Sequence, residues 1–166
     1  MTQIKRPTLD TIKIITAEKD AEFDAGKIMV KEYVEWLGVD LSFQNFDHEF
    51  ASFNTVFNEP EGALLLAKVG DAYAGVLGIK KFDDTCCELK RMWIRPDYRN
   101  KGVARMLLKE SLDVATVLGY KLIRLDTSTT LMASAIRMYL EAGFYEIAPY
   151  RYNPYPDVKF YEYQIV

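Results

Sequence analysis

The sequence predicts an α/β protein of the α+β type: a single mixed, mostly antiparallel sheet covered by helices. Three observations predict it. Segments of period-two alternation and segments of helical spacing both occur along the chain. The middle third reads as a meander of three strands joined by short turns. The order is then two helices, the meander, and strands separated by helices, which places helices over one sheet.

Residues 11–15 form the first strand candidate. Residues 21–37 carry Phe23, Ile28, Met29, Tyr33, Trp36 and Leu37 at mainly helical spacing, and Gly38 supplies a stop. Residues 46–57 predict a second helix, because Phe46, Phe50, Phe53 and Phe57 are spaced by four, three and four and Pro60 closes the segment. These rings read as core. Residues 63–69, a turn at Gly70 and Asp71, and residues 73–81 predict a hairpin; residues 86–94 add a third strand after Asp83 and Asp84. A helix over 103–118 follows, with Ala104, Leu107, Leu108, Leu112, Ala115 and Leu118 on one side and Gly119 as its stop. Residues 122–126 predict a strand, 133–142 a helix ended by Gly143, and 144–147 and 160–165 the last strands. Between them lies a loop with Pro149, Pro154 and Pro156.

At 166 residues the chain fits one domain, residues 1–166, large enough to bury a full core. Apolar residues make up 49% and charged residues 27%, which excludes disorder or a coiled coil as a description of the whole chain. Cys86 and Cys87 are adjacent and, with the single His48, cannot build a disulfide framework or a four-ligand zinc site. No metal is expected. Residues 1–15 lack the apolar stretch of a secretory signal, and no apolar run reaches the ~20 residues of a membrane helix. The expectation is a soluble, reduced, cytoplasmic protein with no membrane partner.

The net charge of −3 conceals an asymmetry. Residues 90–109 hold Lys90, Arg91, Arg95, Arg99, Lys101, Arg105 and Lys109 against Asp97 alone, a local +6 that leaves −9 elsewhere. Such a patch on an acidic protein suits a small anion better than a long polyanion. A solvated helix face is the plainer alternative. The negative remainder argues against nucleic acid and mildly favours a cationic acceptor.

The segment ELKRMWIRPDYRNKGVA, residues 88–104, gives the patch a shape. Pro96 ends the strand, and Arg99, Asn100, Lys101, Gly102, Val103 and Ala104 lie in the turn that opens the long helix. A helix N-terminus offers unpaired N–H groups to phosphate, and Gly102 lets a ligand approach the backbone. The Arg-x-x-Gly-x-Ala spacing alone would arise in about one chain in six. Its place between strand and helix makes it specific. Neither a Walker A sequence nor a Gly-x-Gly-x-x-Gly fingerprint is present.

With this segment and SAIRMYLEAGF, residues 134–144, the sequence resembles the GNAT family, the GCN5-related N-acetyltransferases, along almost its whole length. The resemblance implies a GNAT-like acyl-CoA N-acyltransferase fold and direct acetyl transfer from acetyl-CoA to an amine of a small molecule or peptide. It implies that Arg99 to Ala104 hold the pyrophosphate, and that Met92, Trp93 and Ile94 pair with the pantetheine arm. One N–H of these three would polarise the thioester carbonyl. Tyr139 matches the family's tyrosine, the general acid for the leaving thiolate, and otherwise reads as a core aromatic. Glu88 matches a strand position that carries a base in relatives, and otherwise reads as a cross-strand partner. Where the family has Asn seven residues before its tyrosine, this chain has Met132. Relatives are often homodimers.

His48, flanked by acids, reads as a surface residue. Lys90 and Arg91 suit an anionic substrate group or a solvated strand face equally. Acceptor selectivity is expected in residues 38–44 and 149–156. Two other functions compete: a non-catalytic CoA-binding regulatory domain, and a module that contacts nucleic acid.

Overall fold

A computed structural model describes residues 11–166. The expectation about a leader in residues 1–15 therefore falls largely outside the described residues. Seven strands form one sheet: β1 (Ile12–Thr16), β2 (Ala63–Val69), β3 (Ala72–Lys81), β4 (Cys86–Ile94), β5 (Leu122–Ser128), β6 (Tyr145–Ile147) and β7 (Val158–Gln164), in the order β1-β2-β3-β4-β5-β7-β6. Among the strand pairs, β4 and β5 run parallel and the others antiparallel. The helices are α1 (Asp20–Leu37), α2 (Phe46–Ala51), α3 (Phe53–Val56), α4 (Val103–Val117) and α5 (Ala133–Ala142).

Both faces of the sheet are covered, so β2 to β4 read as apolar runs rather than clean alternations. On one face Val103, Leu107, Leu108 and Ala115 of α4 and Met138 and Tyr139 of α5 pack on Leu65, Leu77, Ile79 and Ile123. On the other, Phe23, Met29 and Val30 of α1 and Phe53 of α3 pack with Phe57 on Leu64, Leu66, Val76 and Trp93. Gly26 permits the close approach of α1: a Cβ there would lie 2.5 Å from a Leu64 methyl.

The predicted helix 46–57 is two short helices, broken at Ser52, whose φ of −106° and ψ of 22° leave the helical basin. The four phenylalanines still stack in sequence, with ring centroids 5.6, 6.1 and 4.9 Å apart. The first strand starts one residue later than predicted, at Ile12, and the last starts earlier, at Val158. Among the described residues no helix is long and apolar enough to cross a membrane, and no cluster of His, Cys, Asp or Glu could hold a metal.

Two features of β4 position the site. Its parallel register with β5 covers only Cys86↔Leu122, Cys87↔Ile123 and Glu88↔Arg124, after which the strands part. Opposite β3 the register slips between Val76 and Gly78, and Arg91 takes a left-handed φ of 62°. This bulge shifts the side-chain alternation by one residue. Leu89 and Met92 consequently both face α4, and Trp93 faces α1.

Candidate active site

A groove of about 530 Å³ opens beside the parted strands. Met92, Trp93 and Ile94 of β4 form one wall; Arg99, Asn100, Gly102, Val103 and Ala104 form its floor; Thr130 to Ala135 and Met138, at the start of α5, form the other wall. Asn100 and Gly102 have φ of 60° and 84°, and α4 begins with no side-chain cap hydrogen bond. The first N–H groups of a 15-residue helix are thus left to a ligand, with the positive end of the helix dipole behind them. Gly102 is needed for this turn, because a β-branched residue at that φ is strained.

The cationic side chains play unequal parts. The Arg99 guanidinium lies 4.7 Å from the Trp93 ring centre and donates from Nε to the Ile94 carbonyl at 3.1 Å. Lys101 lies outside the groove lining and donates to the Asp97 carbonyl at 2.6 Å. Arg95, also directed elsewhere, makes a two-pronged pair with Glu32 at 3.0 and 2.9 Å. Of the seven cations in residues 90–109, Arg99 and Arg105 are the ones that line the groove.

Tyr139 is buried on α5 against Phe144, at 5.6 Å between ring centres, and its hydroxyl lies 4.0 Å from Met92 Sδ. Burial pushes its phenol pKa up, so the hydroxyl stays protonated. Tyr139 lines neither cavity itself; Met92, which its hydroxyl contacts, lines the groove, and a thioether is a weak acceptor.

A second, compact pocket of about 130 Å³ adjoins the groove, and Leu131 and Met132 line both. The stretches 38–44 and 149–156 converge here. Val39, Leu41, Phe43 and Gln44 line it from one side and Asn153 and Tyr155 from the other. Tyr155 bridges them, donating to the Asp40 carbonyl at 2.9 Å with its ring 5.8 Å from Phe43. Tyr33, Lys90, Arg91, Asp126 and Asp157 complete the pocket. Asp126 accepts from Asn153 at 3.3 Å.

Lys90 and Arg91 are not solvated rungs. Both are buried beside Glu49 of α2, itself 2% exposed. Glu49 accepts from Arg91 Nε at 2.9 Å and Lys80 at 3.3 Å, and lies 3.8 Å from Lys90. Burial and the neighbouring Arg91 push the Lys90 ammonium down to about 8. Lys90 Nζ, Arg91 Nη2, Gln44 Oε1 and Arg151 Nε are buried without a hydrogen-bond partner, and the first three belong to residues that line the compact pocket. Each such atom costs on the order of 1–3 kcal/mol.

Glu88 lines neither cavity. Its carboxylate accepts from Tyr150 at 3.0 Å and forms an ion pair with Arg151, tying the proline-rich loop to β4. His48 is exposed, as its acidic neighbours suggest. Cys86 and Cys87 are buried, line neither cavity, and are pushed up to about 12 by burial. A thiol in that state is a poor nucleophile.

The fold as a whole finds counterparts among known proteins. The family model described as "Acetyltransferase (GNAT) family" matches residues 27–144. The chain belongs to the GNAT acetyltransferase family. An uncharacterized N-acetyltransferase of Schizosaccharomyces pombe is 36% identical over 149 residues, covering 89% of this chain and 91% of its own. A GNAT-family acetyltransferase structure from Staphylococcus aureus superposes with a TM-score of 0.75 at 20% identity, covering 93% of this chain and 99% of its own. The Salmonella typhimurium acetyltransferase yncA, solved with its cofactor acetyl-CoA, gives 0.67 at 17% identity, covering 94% and 95%. The GNAT membership makes the chain an N-acetyltransferase and accounts for the seven-stranded mixed sheet.

Several site residues left little trace in the sequence. Thr130 and Met138 join the groove around the start of α5, and Tyr33 and Asp126 join the pocket, whereas Gln44 falls in the stretch 38–44 already expected there. Only Asp126 offered a local signal, as an acid inside the apolar strand LIRLD.

Proposed function

We propose that residues 1–166 act as one acetyltransferase domain that binds acetyl-CoA in the groove and a small amine in the compact pocket, and transfers acetyl directly between them. The observation that carries this reading is the uncapped start of α4 on the floor of a groove that shares Leu131 and Met132 with a second pocket. Bound acetyl-CoA supplies an activated thioester, whose carbonyl carbon bonds to the amine nitrogen as its C–S bond breaks.

The N–H groups at Gly102, Val103 and Ala104 hold the pyrophosphate, and the backbone of Met92 to Ile94 holds the pantetheine arm as an added strand. An N–H beside the Arg91 bulge donates to the carbonyl oxygen as negative charge grows on it. Tyr139 holds a proton at its hydroxyl for the departing sulfur. Asp126 receives the proton that the acceptor ammonium sheds, directly or through water. Glu88 was expected in that role; bound to Tyr150 and Arg151, it acts instead as a brace for the pocket wall. The unreactive state of Cys86 and Cys87 supports transfer without a covalent enzyme intermediate.

The test is acetyl-CoA-dependent thiol release over an amine panel, followed by initial rates with both substrates varied. Intersecting lines are expected. Parallel lines would replace direct transfer by a covalent relay, and no turnover with confirmed CoA binding would favour a regulatory domain.

A further inference from the structure

We infer that the acceptor is an amine that also carries a compact oxyanion, an amino-acid-like zwitterion whose carboxylate meets Lys90 and Arg91 while its amine lies toward Asp126. This rests on the reading of the compact pocket as the acceptor site and adds the acceptor's chemical class.

The charge count in the pocket wall comes first. Glu49 is one carboxylate facing three cations, Lys80, Lys90 and Arg91; Glu88 also acts on Lys90 but is itself paired with Arg151, so the cluster keeps a surplus of positive charge. Arg91 spends its Nε on Glu49 and keeps Nη2 unpartnered; Lys90 Nζ is likewise without a hydrogen bond. Arg91 Nη2, without a hydrogen bond, and Lys90 Nζ, held only by the 3.8 Å ion pair with Glu49, leave donor capacity that one carboxylate, with two oxygens, would satisfy. Buried polar groups in a folded protein are normally paired, so two donors with capacity to spare, lining one pocket, mark the ligand as the missing partner.

The backbone agrees. Arg91 is held at a φ of 62° in a β-bulge, a conformation that a non-glycine residue adopts at a cost and that clusters at functional sites. Without the bulge, Arg91 would fall on the opposite face from Lys90 and Glu49.

The pocket also carries the opposite sign. Asp126 lines it from β5, two residues past Arg124, the last residue paired with β4. Among the described residues no ion pair joins it to Lys90, and both line the pocket between the parted strands. The cavity thus presents cations from β4, the carboxylate of Asp126 from β5 and that of Asp157, which accepts from the Ser128 hydroxyl, with Gln44 Oε1 as a further unpartnered acceptor for an N–H. A zwitterion matches both signs. A polyamine would set a second ammonium against Lys90 and Arg91, which like-charge repulsion opposes. The −9 of the remaining chain, which on its own favoured a cationic acceptor, does not describe this pocket.

The test has two arms on the intact protein. In the first, thiol release with acetyl-CoA is compared for α-amino acids, their carboxamides, simple alkylamines, spermidine and short peptides. At least one free acid should exceed its carboxamide in kcat/KM by about 100-fold or more. Lys90→Met should erase most of that preference through KM, with a smaller change in kcat. In the second arm, which needs no turnover and no variant, the Arg91 Nε–H resonance is followed in CoA-loaded protein. It is titrated with the N-acetyl derivatives of glycine, alanine and serine and with their carboxamides. The acids should shift it and the carboxamides should not. Carboxamides or alkylamines turned over as well as the acids would overturn the inference while leaving acetyl transfer intact. An Arg91 resonance indifferent to every acid would overturn it as well. A resonance that answers the acids in a protein that acetylates no amine would uphold the anion site and reject the transfer reading.

Discussion

Replacing Glu49 by Gln isolates the buried charge cluster that shapes the acceptor pocket. The substitution keeps the side-chain volume and removes one negative charge that faces Arg91 at 2.9 Å, Lys80 at 3.3 Å and Lys90 at 3.8 Å. Arg91 and Lys90 are nearly closed to solvent, so bulk water screens the uncompensated charges poorly. Breaking a buried pair in this way costs about 3–5 kcal/mol, which for a chain of this size lowers Tm by roughly 6–20 °C. Calorimetry at pH 7 measures it. The pH dependence adds a signature. Burial alone would raise the Glu49 carboxyl, but Arg91, Lys90 and Lys80 together hold it below its ordinary range. A depressed carboxyl contributes stability that is complete above its unfolded pKa and lost as pH falls through the folded one. The gap between wild type and Glu49→Gln should therefore close in acid. Lys90, pushed down to about 8 from its ordinary 10.5, has the reverse sense: its stability penalty is relieved as pH rises between those values. A loss under about 1 kcal/mol, or a gap that does not close in acid, would refute the claim that Glu49 compensates buried cations.

Other substitutions address the catalytic assignments. Gly102→Val should raise the Kd for acetyl-CoA about tenfold or more, because a β-branched residue at a φ of 84° strains the turn and crowds the phosphate seat; calorimetric titration reads it. Tyr139→Phe should lower kcat by about 100-fold with the fold retained, since the ring packing on Phe144 survives; unchanged turnover would remove the acid role. Asp126→Asn should lower kcat by about 100-fold with the fold retained. Glu88→Gln should keep kcat and lower Tm as Arg151 loses its partner; the opposite pair of outcomes would return the base role to Glu88.

Local chemistry made much of this molecule readable in its sequence. Alternation marked the strands, Pro96 and Gly102 marked the strand end and helix start, and the 3.6-residue period of residues 103–118 marked α4. The groove was legible for the same reason: Met92 to Ile94, Arg99, Asn100 and Gly102 to Ala104 come from one continuous segment. The compact pocket was legible only in its two loops, 38–44 and 149–156, because the rest of it is assembled across the chain. Glu49 and Arg91 lie 42 positions apart, and Glu88 meets Arg151 at a separation of 63. The bulge at Arg91 carries no glycine to announce it, so the alternation of β4 gave no warning that Lys90 and Arg91 would be buried on one side. The break at Ser52 was hidden by a phenylalanine spacing that both short helices continue.

The central claim is that the uncapped start of α4 and the edge of β4 seat acetyl-CoA beside an amine pocket. A crystal structure of the protein with CoA tests it most directly. The pyrophosphate should lie on the N–H groups of Gly102 to Ala104, the pantetheine arm along Met92 to Ile94, and the thiol near the Tyr139 hydroxyl at the mouth of the pocket lined by Lys90, Arg91 and Asp126. CoA bound elsewhere, or bound in the groove with its thiol directed away from that pocket, would contradict the account.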